Sequence, residues 1–215
     1  MQAISKDWGV TAAPNTLQPN TLQKVMGNDW YRLHSSVQNR FAHEPEPGHP
    51  IVYQGVMEKV HCSPAGWLFA QLTRIIGNPL APDTGSDVPM RVTLSKREDL
   101  DGVYWQRLYG FKTPFLVTSS KRADAKGRLC EYVGLGFGMR LDVFPRHGAL
   151  HFVSTRYFWE LAGVQVPLPH WLSPGRTHVT HEDLGGGEFR FTIAMDHAQL
   201  GRTFFQTGRF REVAP

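Results

Sequence analysis

Residues 90–109 read MRVTLSKREDLDGVYWQRLY, and the period of this stretch decides the fold. Met90, Val92 and Leu94 alternate with Arg91, Thr93 and Ser95; beyond Asp101-Gly102, a pair with the composition of a tight turn, Val103, Trp105, Arg107 and Tyr109 alternate with Tyr104, Gln106 and Leu108. A repeat of two places successive side chains on opposite faces of a strand, so the stretch predicts a β-hairpin with one face turned to a core.

Downstream the same period continues. Phe115 to Ser120, Leu129 to Val133, Phe137 to Val143 and Leu150 to Leu161 read as strands, parted by KRADAKG and PRHG, and Thr177 to Glu182, Phe189 to Met195 and Arg202 to Phe210 follow. With Ile51 to Val60 upstream, weakened by Gly55, the count is about nine or ten strands, the pattern of antiparallel sheets closed or half closed into a barrel. Several strands are apolar or aromatic on both faces, as in Leu150, Phe152 and Phe158 against His151, Val153, Tyr157 and Trp159. Such strands must be covered on two sides.

Upstream the period changes. Trp30, Leu33, Val37 and Phe41 recur every three or four residues, which predicts an amphipathic helix from Asn28 to His43, ended by Pro45, Pro47 and Gly48. In SPAGWLFAQLTRIIGNP, Ser63 suits an N-cap, Pro64 the first helical position and Gly77 the stop. Its face of Ala65, Leu68, Phe69, Leu72, Ile75 and Ile76 is expected to lie against a sheet.

The connection GVQVPLPHWLSP, Gly163 to Pro174, has its path set by Pro167, Pro169 and Pro174 and is expected to close one barrel end through Trp171 and Leu172. The fold class is therefore α+β, mainly antiparallel β: a half-open or closed barrel packed against one or two N-terminal helices. Residues 1–22 read as an arm and residues 23–215 as one domain.

A chain of 215 residues, 41% of them hydrophobic and 12% aromatic, can bury one large core. The net charge of +4 is spread without a basic run, which argues against nucleic acid as a partner. No apolar run reads as a leader or a membrane span, and two cysteines outside any C-x-x-C spacing suit a reducing, cytoplasmic setting.

From about Val25 to Phe210 the chain resembles an uncharacterised domain family often found fused behind saccharopine-dehydrogenase-like NAD(P)-binding domains. The likeness rests on VPMRVTLSKRED (88–99), YWQRLYGFKTPFLVTSS (104–120), RLCEYVGLGFGMRLDV (128–143), VPLPHWLSP (166–174) and EFRFTIAMDHAQLGRTFFQTGRF (188–210). The resemblance implies a module associated with an oxidoreductase, with a separately encoded dehydrogenase or a second copy of the chain as partner. No strand, G-x-G-x-x-G and helix succession occurs in the sequence, so no cofactor is implied.

Familiar reaction motifs are missing too. Gly134, Gly136 and Gly138 precede a strand rather than a helix, so they read as a bulge or close approach and not as a phosphate loop. His178 and His181 lie three apart and so face opposite sides of a strand, which excludes a shared metal unless the segment turns. Cys130 reads as a small buried hydrophobe.

What stands out is charge on faces that otherwise read as interior. Arg107 aligns with Trp105 and Tyr109, Glu131 sits between Leu129 and Val133, and Arg156 is assigned to the face of Phe152 and Phe158. A lone buried charge costs several kcal/mol, so these groups must pair with one another or meet a polar ligand group. The expected pocket takes an apolar small molecule or lipid, with Arg107, Trp105, Tyr109, Tyr157, Arg156 and Trp171 as binding residues. The competing reading is a cofactor-independent enzyme of cyclase or isomerase type, in which Glu131 or His43 moves a proton.

Overall fold

The computed structural model describes residues 19–77, 79–98 and 100–214. Eleven strands are found among them: β1 (Ile51–Cys62), β2 (Gly85–Arg97), β3 (Leu100–Tyr109), β4 (Phe115–Ala123), β5 (Leu129–Gly134), β6 (Phe137–Arg146), β7 (Ala149–Leu161), β8 (Val164–Pro167), β9 (Arg176–Gly185), β10 (Glu188–His197) and β11 (Gly201–Val213). They pair antiparallel in the order β6-β5-β4-β3-β2-β1-β11-β10-β9-β7-β8, and β6 also pairs with β7. Ten strands thus close into an antiparallel barrel, and β8 is an eleventh attached to its outside. Closure removes free sheet edges, which explains how so many strands coexist in one sheet.

The wall has two unusual joins. The first strand pairs with the last, β1 with β11 from Val52↔Val213 to Cys62↔Phe204, and Gly55 leaves room there for the Phe210 ring. Strand β7 divides its free edge between two partners, β9 over Leu150–Val153 and β8 over Phe158–Leu161. Between these halves a bulge against β6 shifts the register, Leu141 facing Ser154 while Arg140 faces Arg156.

That bulge corrects one expectation. Phe152 points into the barrel, but Phe158 lies outside it, fully buried with Cys130 and Tyr132, and Arg156 is exposed. One extra residue in the strand moved Tyr157 to the inner side. The predicted hairpin turn also shifts: Arg97 already pairs with Leu100, and Gly102 sits inside β3 rather than at the reversal.

The first predicted helix is broken in two. A 3-10 turn, Gly27–Arg32, is followed by helix α2 (Ser35–Ala42), after the short α1 (Thr21–Met26). Leu33 and His34 interrupt it in extended conformation, His34 N–H donating to the Gly148 carbonyl at 2.9 Å. Its apolar residues Trp30, Leu33 and Val37 are nevertheless buried. Of the expected arm, residues 1–18 lie outside the described residues, while Asn20 caps α1 and donates to the Phe41 carbonyl at 2.6 Å.

Helix α3 (Pro64–Leu72) follows its punctuation: Ser63 Oγ accepts from Gly66 N–H at 3.1 Å and Gly77 ends the following 3-10 turn, Thr73–Ile76. Its docking face matches the predicted one only in part: Phe69 packs against the core and Ile76 is half-buried. Gly66 and Ala70 are buried, Gly66 so close to the Thr203 carbonyl that a Cβ would collide with it. Trp67, Leu68, Leu72 and Ile75 are instead exposed, Ile75 to 82%. Small residues let α3 approach the barrel end closely, and that approach leaves Trp67, Leu68 and Ile75 largely exposed.

Candidate functional site

The site is set by register. Across β3, β4 and β5, Trp105 pairs with Ser119, Val103 with Lys121 and Lys121 with Glu131. Paired residues in a sheet share a face, and residues two apart stay on it. Trp105, Arg107, Ser119, Lys121 and Glu131 therefore all point inward, and they meet near the middle of the barrel.

Their contacts form one cluster. The carboxylate of Glu131 accepts from Ser119 Oγ at 2.6 Å and from an Arg107 Nη at 3.4 Å on Oε1, while Lys121 Nζ lies 3.1 Å from Oε2. Arg107 also donates to Ser119 Oγ at 3.1 Å. The Lys121 ammonium sits 4.5 Å from the centre of the Trp105 ring, in reach of a cation–π contact. Arg107 and Glu131 are only 7% and 6% exposed.

The cluster fixes its own protonation. Burial pushes the Glu131 carboxyl upward, but Lys121, Arg107 and the Ser119 hydrogen bond outweigh it and hold the group down at about 2. Burial lowers Lys121 to about 8, with Glu131 opposing and Arg107 adding to the fall. A carboxylate that ionised is a weak proton acceptor near neutral pH, so Glu131 is suited to holding cations rather than to moving a proton.

Around the cluster runs a belt of Phe152 from β7, His181 from β9 and Phe191 from β10. His181 is the hub, its ring centre 5.0 Å from that of Phe191, 6.1 Å from Phe152 and 6.3 Å from Trp105. Burial, with Arg40, Lys121 and Arg107 nearby, holds its pKa well below the usual histidine value, so the imidazole is neutral. Its Nδ1 has no hydrogen-bond partner among the described residues.

The belt separates two interior spaces, and Trp105, Arg107, Lys121, Phe152, His181 and Phe191 line both. The smaller, about 80 Å³, lies under the N-terminal helices and is bounded by Arg40, Phe41, Phe189 and Phe210. The larger, about 300 Å³, reaches to the opposite end, where Phe69, Leu72 and Ile76 of the α3 segment and Leu168 and Leu172 of the 163–174 connection cover it. Its walls, with Val117, Met139, Val179 and Ile193, are mainly apolar.

The residues singled out from sequence divide accordingly. Trp105, Arg107, Tyr109, Glu131 and Tyr157 all line the larger cavity. Tyr109 donates to Gln206 Oε1 at 2.7 Å, and Tyr157 donates to the Gly175 carbonyl at 2.9 Å and contacts Thr177 Oγ1 at 2.6 Å. His43 stands apart, exposed at the mouth of the smaller cavity, which Glu131 does not line. Arg156 and Trp171 line an open groove on the outer surface with Arg176 and Asp196; Trp171 is 65% exposed, and it is Leu172, Ser173 and Pro174 that face the interior.

Three interior residues were missed: Ser119, Lys121 and His181 as a member of the belt. Lys121 was assigned to a turn because it opens KRADAKG, yet β4 runs on to Ala123. The inward series Val117, Ser119, Lys121, continued by two residues, would have found it. The histidine pair separates as its spacing requires: His181 is inside, whereas His178 is outside, its Nε2 2.9 Å from His151 Nδ1. Among the described residues no group of three or more His, Cys, Asp or Glu could hold a metal ion, and no helix is long and apolar enough to cross a membrane.

A ten-stranded antiparallel barrel, capped by short helices and carrying a buried Arg–Lys–Glu cluster at its waist, is the class of protein these residues build. Within it, the chain belongs to the family described as a domain of unknown function (DUF4166), whose model matches residues 33–210. It is also similar to the uncharacterized protein YndH of Bacillus subtilis (strain 168), at 23% identity over 200 residues that cover 86% of this chain and 93% of the relative. No solved structure matches it.

Proposed function

We propose that this chain is a binding domain that encloses an apolar small molecule or lipid inside the barrel, with the Arg107–Lys121–Glu131 cluster facing the polar end of the guest. The observation that carries this reading is the larger cavity itself. It has mainly apolar walls and converges on a few buried polar groups, the arrangement that small-molecule sites favour. Interiors without a guest are packed like organic crystals, with few voids larger than a water molecule.

The test is extraction of the purified chain with organic solvent, paired with mass spectrometry of the intact protein under native conditions. A stoichiometric apolar molecule that is lost on extraction is the expected result. A protein that carries nothing, and that binds no member of an apolar ligand panel, would overturn the reading.

A further inference from the structure

The charges inside the barrel do not balance. Arg107 and Lys121 are two cations, Glu131 is one anion, and the neutral His181 beside them adds nothing. At the helix-capped end Arg40 is matched by Asp183, at 3.7 Å, so that pair leaves the surplus untouched. Among the described residues, one positive charge is thus left without a counter-charge at the waist of the barrel. Both Glu131 oxygens are already engaged, Oε1 by Ser119 and Arg107 and Oε2 by Lys121.

An uncompensated buried charge is costly, and an anion from outside the chain would relieve it. A second observation points the same way. His181 Nδ1, on a residue 5% exposed and lining both cavities, has no hydrogen-bond partner among the described residues, although a neutral imidazole can donate one proton.

Resting on the reading that the barrel encloses an apolar guest, we infer that this guest is a single-chain carboxylate, its anionic end held by Lys121 and Arg107 beside His181 and its chain in the larger cavity. The single surplus charge matches a monoanion better than a phosphate monoester, which carries about −1.5 to −2 at neutral pH. Charge-assisted hydrogen bonds from an ammonium and a guanidinium supply the discrimination that apolar walls cannot. The Glu131 carboxylate spaces the two cations and limits the anion to one.

The experiment is titration calorimetry on the full chain, stripped of any co-purified molecule, with dodecanoic acid, dodecan-1-ol and dodecylamine at neutral pH. Dodecanoic acid is expected to bind at least about tenfold tighter than the alcohol, about 1.4 kcal/mol, and the amine not at all. Lys121→Gln is expected to erase the preference for acid over alcohol. If wild-type protein binds acid and alcohol equally, the inference is overturned and the apolar-guest reading stands. If none of the three binds a folded protein, both are overturned. Should Lys121→Gln fail to fold, the wild-type series decides alone.

Discussion

Lys121 and Glu131 face each other across the β4–β5 ladder, Nζ to Oε2 3.1 Å, and the ammonium sits 4.5 Å from the centre of the Trp105 ring. A buried ion pair of this kind adds little net stability as a whole, yet removing one partner is expensive because the other is left uncompensated.

Glu131→Gln strands two cations and is expected to destabilise the barrel by about 3–5 kcal/mol. Lys121→Gln leaves Glu131 with Arg107 and Ser119, so its cost is expected to be smaller, about 1–3 kcal/mol. Urea unfolding of the two variants beside wild type checks the order; equal costs would refute it.

Acid should weaken the fold in a defined window. The folded Glu131 carboxyl is held at about 2 against an unfolded value of 4.5. The unfolded chain therefore binds the extra proton first, and the contribution of this group is intact above 4.5 and lost as pH falls toward 2. Thermal melts from pH 6 to pH 2 should show a slope that Glu131→Gln reduces.

Gly66→Ala sets two effects against each other. Helix propensity favours alanine by about 1 kcal/mol, but the new methyl would collide with the Thr203 carbonyl beneath α3. Overpacking at a backbone contact is expected to win, for a net loss of about 1–2 kcal/mol in denaturant unfolding. A gain in stability would mean that α3 docks less tightly than described.

Val179→Phe probes the larger cavity without touching the charges. In a solid core the added ring would cost about 1–3 kcal/mol; projecting into open space, it should cost less than about 1 kcal/mol and abolish retention of any apolar guest. Stability and extractable ligand are measured on the same preparation.

Cys130 reports on β8. The thiol is fully buried outside the barrel near Gln165 of that strand, and burial pushes it up to about 11. Native protein should leave it unalkylated at neutral pH, while Gln165→Pro, which cannot donate to the β7–β8 ladder, should expose it with the barrel otherwise intact. Mass spectrometry after a timed iodoacetamide pulse gives the rate.

The barrel was readable from sequence because its inner faces keep a strict period of two, as in Met90, Val92, Leu94 and again Val103, Trp105, Arg107, Tyr109. Arg107 and Glu131 could be recognised for the same reason, as charges in apolar register. Alternation carries no information about a bulge, which is why Arg156 was placed on the wrong face and its actual position beside Trp171 in the outer groove was not anticipated. Lys121 was hidden by its neighbours: three of the next five residues are polar or charged, and turn-like composition masked one more inward step. The α3 face was legible only in part, for a different reason. Hydrophobic patterning assumes that the largest apolar residues dock, whereas close approach over Gly66 buries Gly66 and Ala70 and, of the large residues, brings in Phe69 while leaving Leu68 and Ile75 exposed.

The join of β1 to β11 also has a consequence for how the protein comes to exist. Its first wall strand, Ile51–Cys62, finds one of its two partners only in Gly201–Val213. On a ribosome adding roughly 5–20 residues per second, β1 waits several seconds with that edge open while the intervening strands emerge. Contacts so distant along the chain make for slow folding. The interior, and anything it holds, can therefore be enclosed only after β11 has been synthesised.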